Sequence, residues 1–258
     1  MAEHFGRAGH SAKERGRRLS IRAYAILLAY VILGGLGAWF SWHWVHSNNV
    51  LVRYGSYILL CISLGVFIAG CLPVLNDKYD PETWLSAFDR GAKGEETVQR
   101  WLASLPDGYS VFHDIECAVG NLDHVVIGPT GVFVIETKSH SGQVDVDMNG
   151  RLVRNGRPFE KDLIKQSWRE ALWLRDWIQG RLGIEVRVYP LLVFSRAFVL
   201  VRRPVNGVTV LPGKWLVDHI VKRKPELTAE RVQSIRSLLL ELLVSGQVGG
   251  AVAGHGSE

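Results

Sequence analysis

Two long apolar runs dominate the first third of the chain. Residues 23–45 and 54–76 contain no Asp, Glu, Lys or Arg, and each run is 23 residues long. A helix of that length rises about 34 Å, enough to cross a hydrocarbon core of about 30 Å. The short polar segment 46–53 between them predicts a helical hairpin whose two ends lie on one side. Trp39, Phe40, Trp42 and Trp44 close the first run and Tyr54 and Tyr57 open the second, the pattern of an interfacial aromatic belt. Gly34, Gly35 and Gly37, with Gly65 and Ala69, offer small-residue faces for packing within the hairpin or between copies.

Beyond residue 90 the pattern becomes that of a mixed α/β domain. Val98, Trp101, Leu102 and Leu105 form an apolar stripe that predicts a helix over 92–105, ended by Pro106-Asp107-Gly108. Residues 109–115 read as a strand. Over 121–138 two β-rich runs flank Gly128-Pro129-Thr130-Gly131, which predicts a hairpin. A two-residue and a four-residue loop both give partners whose numbers sum to 259. Asp123 then falls opposite Glu136, with Cβ atoms about 4.5–5.5 Å apart. Lys138 shares the Glu136 face, and alternation puts His124 on the opposite one. A strand, an Asn149-Gly150 turn and another strand follow, with Asp145 and Asp147 at solvent-facing positions. Residues 163–181 read as a helix carrying Trp168, Leu172, Trp173 and Trp177. Residues 185–195 read as a buried strand, 207–211 as a short one, and 214–222 and 228–244 as helices, the last with Thr228 as N-cap. The glycine-rich stretch 245–258 is expected to be a flexible tail.

Charge changes the picture only once it is located. The chain of 258 residues carries a net charge of +5. Residues 1–76 hold seven Lys/Arg against two acids, and the remainder holds 23 of each sign. The basic excess therefore marks an arm, 1–22, and says nothing about nucleic acid. By the positive-inside rule it places both termini and the domain on the cytoplasmic side of the cell membrane. The basic region and the apolar run are too long for a signal peptide, and no A-x-A site follows. No charge interrupts either run, which leaves a transport pathway without chemistry. The hairpin reads as an anchor, with residues 77–90 as a connector. Three cysteines without a CxxC pair exclude a disulfide framework and a structural zinc site.

The candidate chemistry sits at the end of the 121–138 hairpin. Asp123 and Glu136 repel each other, and one would take a proton unless a cation intervenes. Lys138 supplies one cation, and a hard divalent ion such as Mg²⁺, which binds through a few carboxylates plus water and phosphate oxygens, is the other solution. A solvated strand end with a Glu–Lys pair is the bland alternative.

These residues lead to a family. Gly91-Ala92-Lys93-Gly94-Glu95, Leu122-Asp123-His124-Val125-Val126-Ile127 and Gly131-Val132-Phe133-Val134-Ile135-Glu136-Thr137-Lys138, with Gly142 soon after, resemble the NERD (nuclease-related) domain of the PD-(D/E)xK restriction-endonuclease-like superfamily. The resemblance is specific over 91–142 and weaker to about 195. It implies a domain over 91–244 with a restriction-endonuclease-like α/β core, a central mixed sheet flanked by helices, preceded here by the transmembrane hairpin at 23–76. It implies Asp123 and Glu136 as ligands of Mg²⁺ or Mn²⁺, Lys138 orienting the attacking water, Glu95 as the first-helix acid and Gln166 as the helix glutamine near the site. Glu95 also lies on the stripe of Val98, Leu102 and Leu105, although an acid at a helix N-terminus needs no further role. Where some branches carry Gln-x-x-x-Tyr, the last position here is Glu170. His124 is expected in a packed or supporting role. The implied function is a membrane-anchored, metal-dependent nuclease acting on nucleic acid, DNA in first place. The alternative is an inactive nuclease fold used as a tethered binding module, with homo-oligomers open in either case.

Overall fold

The computed structural model describes residues 1–46, 48–75 and 81–252, with the backbone alone for 69–75, 81–85 and 245–252. The connector expected at 77–90 is described only from Pro81, and the last six residues of the expected tail lie outside the described residues. The chain divides into two compact units, Ala12–Asp89 and a second formed by Met1–Ser11 together with Arg90–Glu258.

The first unit is helical. Helix α1 (His10–Trp44) covers residues 23–44 of the first apolar run and helix α2 (Val50–Leu75) residues 54–75 of the second. Helix α1 starts earlier than the apolar run because 10–22 is built from good helix formers, with an Arg18–Glu14 pair one turn apart at 2.8 Å. Both helices are long and apolar enough to cross a membrane. Their large apolar side chains face outward, as with Leu33 at 61% and Leu51 at 83% exposure, so protein packing does not account for their apolarity. Gly34 and Gly37 pack within the hairpin, whereas Gly35 and Gly65 meet nothing. A Cβ on Gly37 would lie 2.0 Å from Ser63 Oγ, and one on Gly34 would lie 3.1 Å from Phe67 Cβ.

The second unit is a mixed sheet covered on both faces. In chain order it comprises β1 (Glu3–Phe5), the end of α3 (Pro81–Leu102), β2 (Ser110–Cys117), β3 (Gly120–Gly128), β4 (Gly131–Val146), β5 (Leu152–Arg154), β6 (Arg157–Pro158), α4 (Leu163–Leu182), β7 (Val188–Val199), β8 (Thr209–Pro212), α5 (Leu216–Val221) and α6 (Ala229–Val252). Strands run β1-β2-β3-β4-β5-β6 from edge to edge, with β7 parallel to β4 and β8 parallel to β7. The β3–β4 register is the expected one, from Gly128↔Gly131 to His124↔Ile135. Gly131 takes φ +129°, open to glycine and closed to most side chains.

Alternation sorts the core. Val111, Val126, Phe133 and Ile135 face Val98 and Leu102 of α3 and Leu216 of α5. Val125, Val132 and Val134 face Leu174 and Ile178 of α4 and Leu239 of α6. Each fully buried Val, Leu or Phe contributes about 1.5–3 kcal/mol, enough to fix this register against a one-residue slip. Helix α4 begins where Asp162 accepts the Lys165 N–H at 2.9 Å and ends at left-handed Gly183.

Other boundaries depart from the sequence expectation too, among them the helix expected over 92–105, which runs Pro81–Leu102. The basic arm expected over 1–22 is divided. Glu3–Phe5 pair in parallel with Ser110–Phe112, Phe5 stacks on Phe112 at 5.0 Å, and Glu3 pairs with Arg236 of α6. Three residues are too few for a periodic signal, and the charge of the arm lies downstream of them. The stretch expected as tail from 245 continues α6 to Val252.

Candidate active site

The site lies where β4 leaves β3. Their backbone ladder ends at His124↔Ile135, and β4 regains an antiparallel neighbour only at Val144↔Arg154 on β5. Between these points one edge of β4 is open. At the first missing rung the Thr137 N–H is taken by Asp123 Oδ2 at 2.7 Å. A carboxylate thus substitutes for a strand carbonyl, and Asp123 is held against the ExK segment by the backbone itself.

Glu136 and Lys138 project from β4 on the α4 side and form an ion pair. Glu136 is 3% exposed, so the pair is largely withdrawn from water. Burial alone would lower the Lys138 ammonium. The adjacent Glu136 carboxylate and its hydrogen bond, then the charges of Asp123 and Glu170, outweigh burial and hold it above the ordinary lysine value. Asp123 goes the opposite way. Burial, then the charges of Glu136 and Glu95, raise its carboxyl well above the usual range, against Lys138 and the Thr137 N–H.

Glu170, which the sequence marked only as standing where some branches carry the Tyr of Gln-x-x-x-Tyr, belongs to this cluster. It is 2% exposed on α4, and Gln166, one turn earlier, donates Nε2 to its Oε1 at 3.0 Å. Burial and the Glu136 charge push its carboxyl up to about 8. Glu136 and Glu170 are hydrogen-bond neighbours, yet Oε2 of each is buried without a donor. Two facing acceptors need one shared proton or one cation. The i, i+4 spacing of Gln166 and Glu170 was the sequence signal for this pair. Gln166 acts by orienting Glu170.

Glu95 is brought near as well, from the other face of the sheet. It is 9% exposed and accepts the Gly9 N–H at 2.9 Å, so the segment after β1 fixes its carboxylate. The stripe it shares with Val98, Leu102 and Leu105 is buried as the spacing predicts.

The residues fit a divalent ion in one limited sense. Glu136 and Glu170 neighbour each other and each has a buried oxygen without a donor, the donor chemistry a hard cation takes. Among the described residues no three His, Cys, Asp or Glu side chains converge at metal-ligand spacing. Any ion here would be held by one or two carboxylates, with water and substrate oxygens completing its shell.

On the opposite face of β3, His124 is buried and joins a chain the sequence did not reveal. Its Nδ1 lies 2.8 Å from His113 Nδ1 on β2, and His113 Nε2 lies 3.0 Å from His4 Nδ1 on β1. Burial, then the His4 ring, pulls the His113 imidazole down to about 3. Burial and the His113 and His4 rings pull His124 well below its ordinary value. His124 is therefore a packed residue on the face of β3 away from Asp123, where alternation puts it.

The family described as nuclease-related domain (NERD) matches residues 90–195. An uncharacterized protein of Bacillus anthracis is 39% identical over 61 residues, covering 21% of this chain and 29% of that protein. The chain thus spans under a third of that relative. No solved structure matches.

Proposed function

From the match of residues 90–195 to the nuclease-related domain family, we propose that the protein is a membrane-anchored, divalent-metal-dependent nuclease that hydrolyses phosphodiester bonds of nucleic acid, DNA in first place. The observation that carries the reading is the pair of donorless buried oxygens on Glu136 and Glu170 next to Asp123 and Lys138. An arrangement that costs stability until a cation or proton arrives is better explained by chemistry than by folding.

Asp123 and Glu136 would hold Mg²⁺ or Mn²⁺, with Glu170 as neighbouring acceptor. The ion would supply neutralisation of phosphate oxygens and a more acidic water. Lys138, protonated and fixed by Glu136, positions the attacking water and offsets charge on the transferring phosphoryl group. Gln166 keeps Glu170 aimed at Glu136. Glu95 tunes Asp123 through its charge.

Helices α1 and α2 are the anchor in this reading. Residues 3–5 and 110–112 are hydrogen-bonded in one sheet, which supports a hairpin that returns the chain to the side it started from. The basic residues before the first span favour the cytoplasmic side.

The test uses the full chain in detergent, because β1 belongs to the catalytic sheet. Labelled DNA and RNA are incubated with and without Mg²⁺ or Mn²⁺, beside the Asp123→Ala protein. Metal-dependent cleavage by the parent and none by the variant is the expected result. Binding without metal-dependent cleavage would select the inactive binding module instead, a reading favoured by the absence of a third converging ligand among the described residues.

A further inference from the structure

The hairpin beside the open edge of β4 carries a charge arrangement that folding does not explain. Left-handed Asn155 and Gly156, at φ 49° and 76°, form a two-residue turn that sets Arg154 directly opposite Arg157. Like charges in direct cross-strand pairing destabilise a hairpin. No hydrogen bond or ion pair is found for the side chains of Arg154, Arg157 or Lys161 among the described residues. The turn is nonetheless held in place, because Asn155 Oδ1 accepts the Gln143 N–H of β4 at 2.8 Å.

These three cations line a cleft of about 710 Å³ with Lys138, His140 and Phe159. Glu160 is the one acid on its wall. The charges of Arg154 and Lys138 add to burial in lowering the His140 imidazole, so the positive field reaches across the cleft. Phe159 meets the His140 ring edge-on at 5.4 Å. One end of the cleft is the lysine of the ExK segment. The domain as a whole is electrically neutral, so affinity for a polyanion has to be local, and this is where unpaired cations adjoin the site.

Resting on the nuclease reading, we propose that the Arg154–Arg157 turn and Lys161 grip the phosphodiester backbone of a nucleic-acid strand on one side of the bond to be cut, and so deliver the scissile phosphate to Lys138. The cations contribute phosphate neutralisation and take no part in bond breaking.

Binding is measured apart from cleavage. The full chain in neutral detergent, with EDTA, is titrated with fluorescent single-stranded DNA over a series of salt concentrations. Arg154→Gln/Arg157→Gln/Lys161→Gln should lower affinity at least tenfold at low salt and reduce the slope of log K against log salt by about two. Arg202→Gln/Arg203→Gln/Lys224→Gln removes the same charge from other exposed basic runs and should stay within about twofold of the parent. The cleft variant should melt no lower than the parent, because a like-charge pair has been relieved. Equal losses in both variants, an unchanged slope, a lower melting temperature, or a loss confined to anionic lipid vesicles would each overturn the proposal. With metal present, the cleft variant should raise KM and keep kcat. A lost slope in a protein that never cleaves would leave the cleft standing and remove the nuclease reading. Cleavage with an intact slope in the variant would do the reverse.

Discussion

The two faces of strand β3 carry buried polar clusters of opposite character. On the α4 face, Asp123, Glu136 and Glu170 surround a single lysine, and two of their oxygens lack a donor. On the other, His4, His113 and His124 form a neutral chain whose internal bonds, at 3.0 and 2.8 Å, satisfy one another and leave only the outer Nε2 atoms without partners. Burial is common to both. What separates them is charge balance: imidazoles solve burial by giving up protons, whereas the carboxylates need something added. A buried polar cluster marks a site when its own members cannot satisfy it.

The largest expected effect breaks the acidic face at its one cation. Lys138→Ala should lower cleavage by a hundred- to a thousandfold, about 3–4 kcal/mol in the barrier, with the fold kept. Circular dichroism and a single-turnover assay check both halves. Cleavage at the parent's rate would remove Lys138 from the mechanism.

The faces should also answer pH with opposite sign. Glu170 has its folded carboxyl raised from 4.5 to about 8. Its contribution is fully present below the unfolded value and is lost as pH rises through 8. His113 is depressed from 6.5 to about 3. Its contribution is present above 6.5 and is lost as pH falls towards 3. Each limb should be worth up to about 5 kcal/mol. In melts across that range, Glu170→Gln should flatten the alkaline limb and His113→Gln the acid one. Mg²⁺ should flatten the alkaline limb alone, by standing in for the proton. Parallel shifts of both limbs in either variant would mean the clusters are not independent.

Much of the acidic face was legible in the sequence, and little of the histidine face. The turn chemistry at 128–131 and strict alternation fix the β3–β4 register, and register alone brings Asp123 to the Glu136 and Lys138 end. Glu170 was missed because it reaches the site through a helix–sheet contact, which no spacing within the hairpin encodes. The histidine chain was missed for a related reason. It spans β1, β2 and β3, and β1 is a three-residue strand separated from β2 by the whole helical hairpin. The spans were legible from length and the absence of charge, but their extension through 10–22 follows from helix propensity, which an apolar pattern does not report.

A smaller effect tests how far β1 belongs to the sheet, through its residue on the α4 and α6 face. Phe5 stacks on Phe112, and the Arg236 guanidinium lies 5.4 Å from the Phe5 ring centre. Phe5→Ala should cost about 1–2 kcal/mol by losing that ring and its cation–π contact. It should also raise amide exchange along Ser110–Cys117 more than along α4. Uniform exchange in both would show that β1 is no separate cooperative element.

The smallest effect probes Glu95, which joins the segment after β1 to the acidic face. Glu95→Gln keeps an oxygen for the Gly9 N–H and removes only the charge, so stability should change by less than about 1 kcal/mol. The Glu95 charge is one of the causes that raise Asp123, so its removal lets that carboxyl ionise at lower pH. The acid limb of the cleavage profile should therefore move downward while the maximal rate stays within about tenfold. A larger rate loss with an unmoved limb would make Glu95 a direct partner of the reacting atoms. An unmoved limb and an unchanged rate would leave it as an acid in the interior of α3 held by the Gly9 N–H, and the coupling between the N-terminal segment and the site would then be one of packing alone.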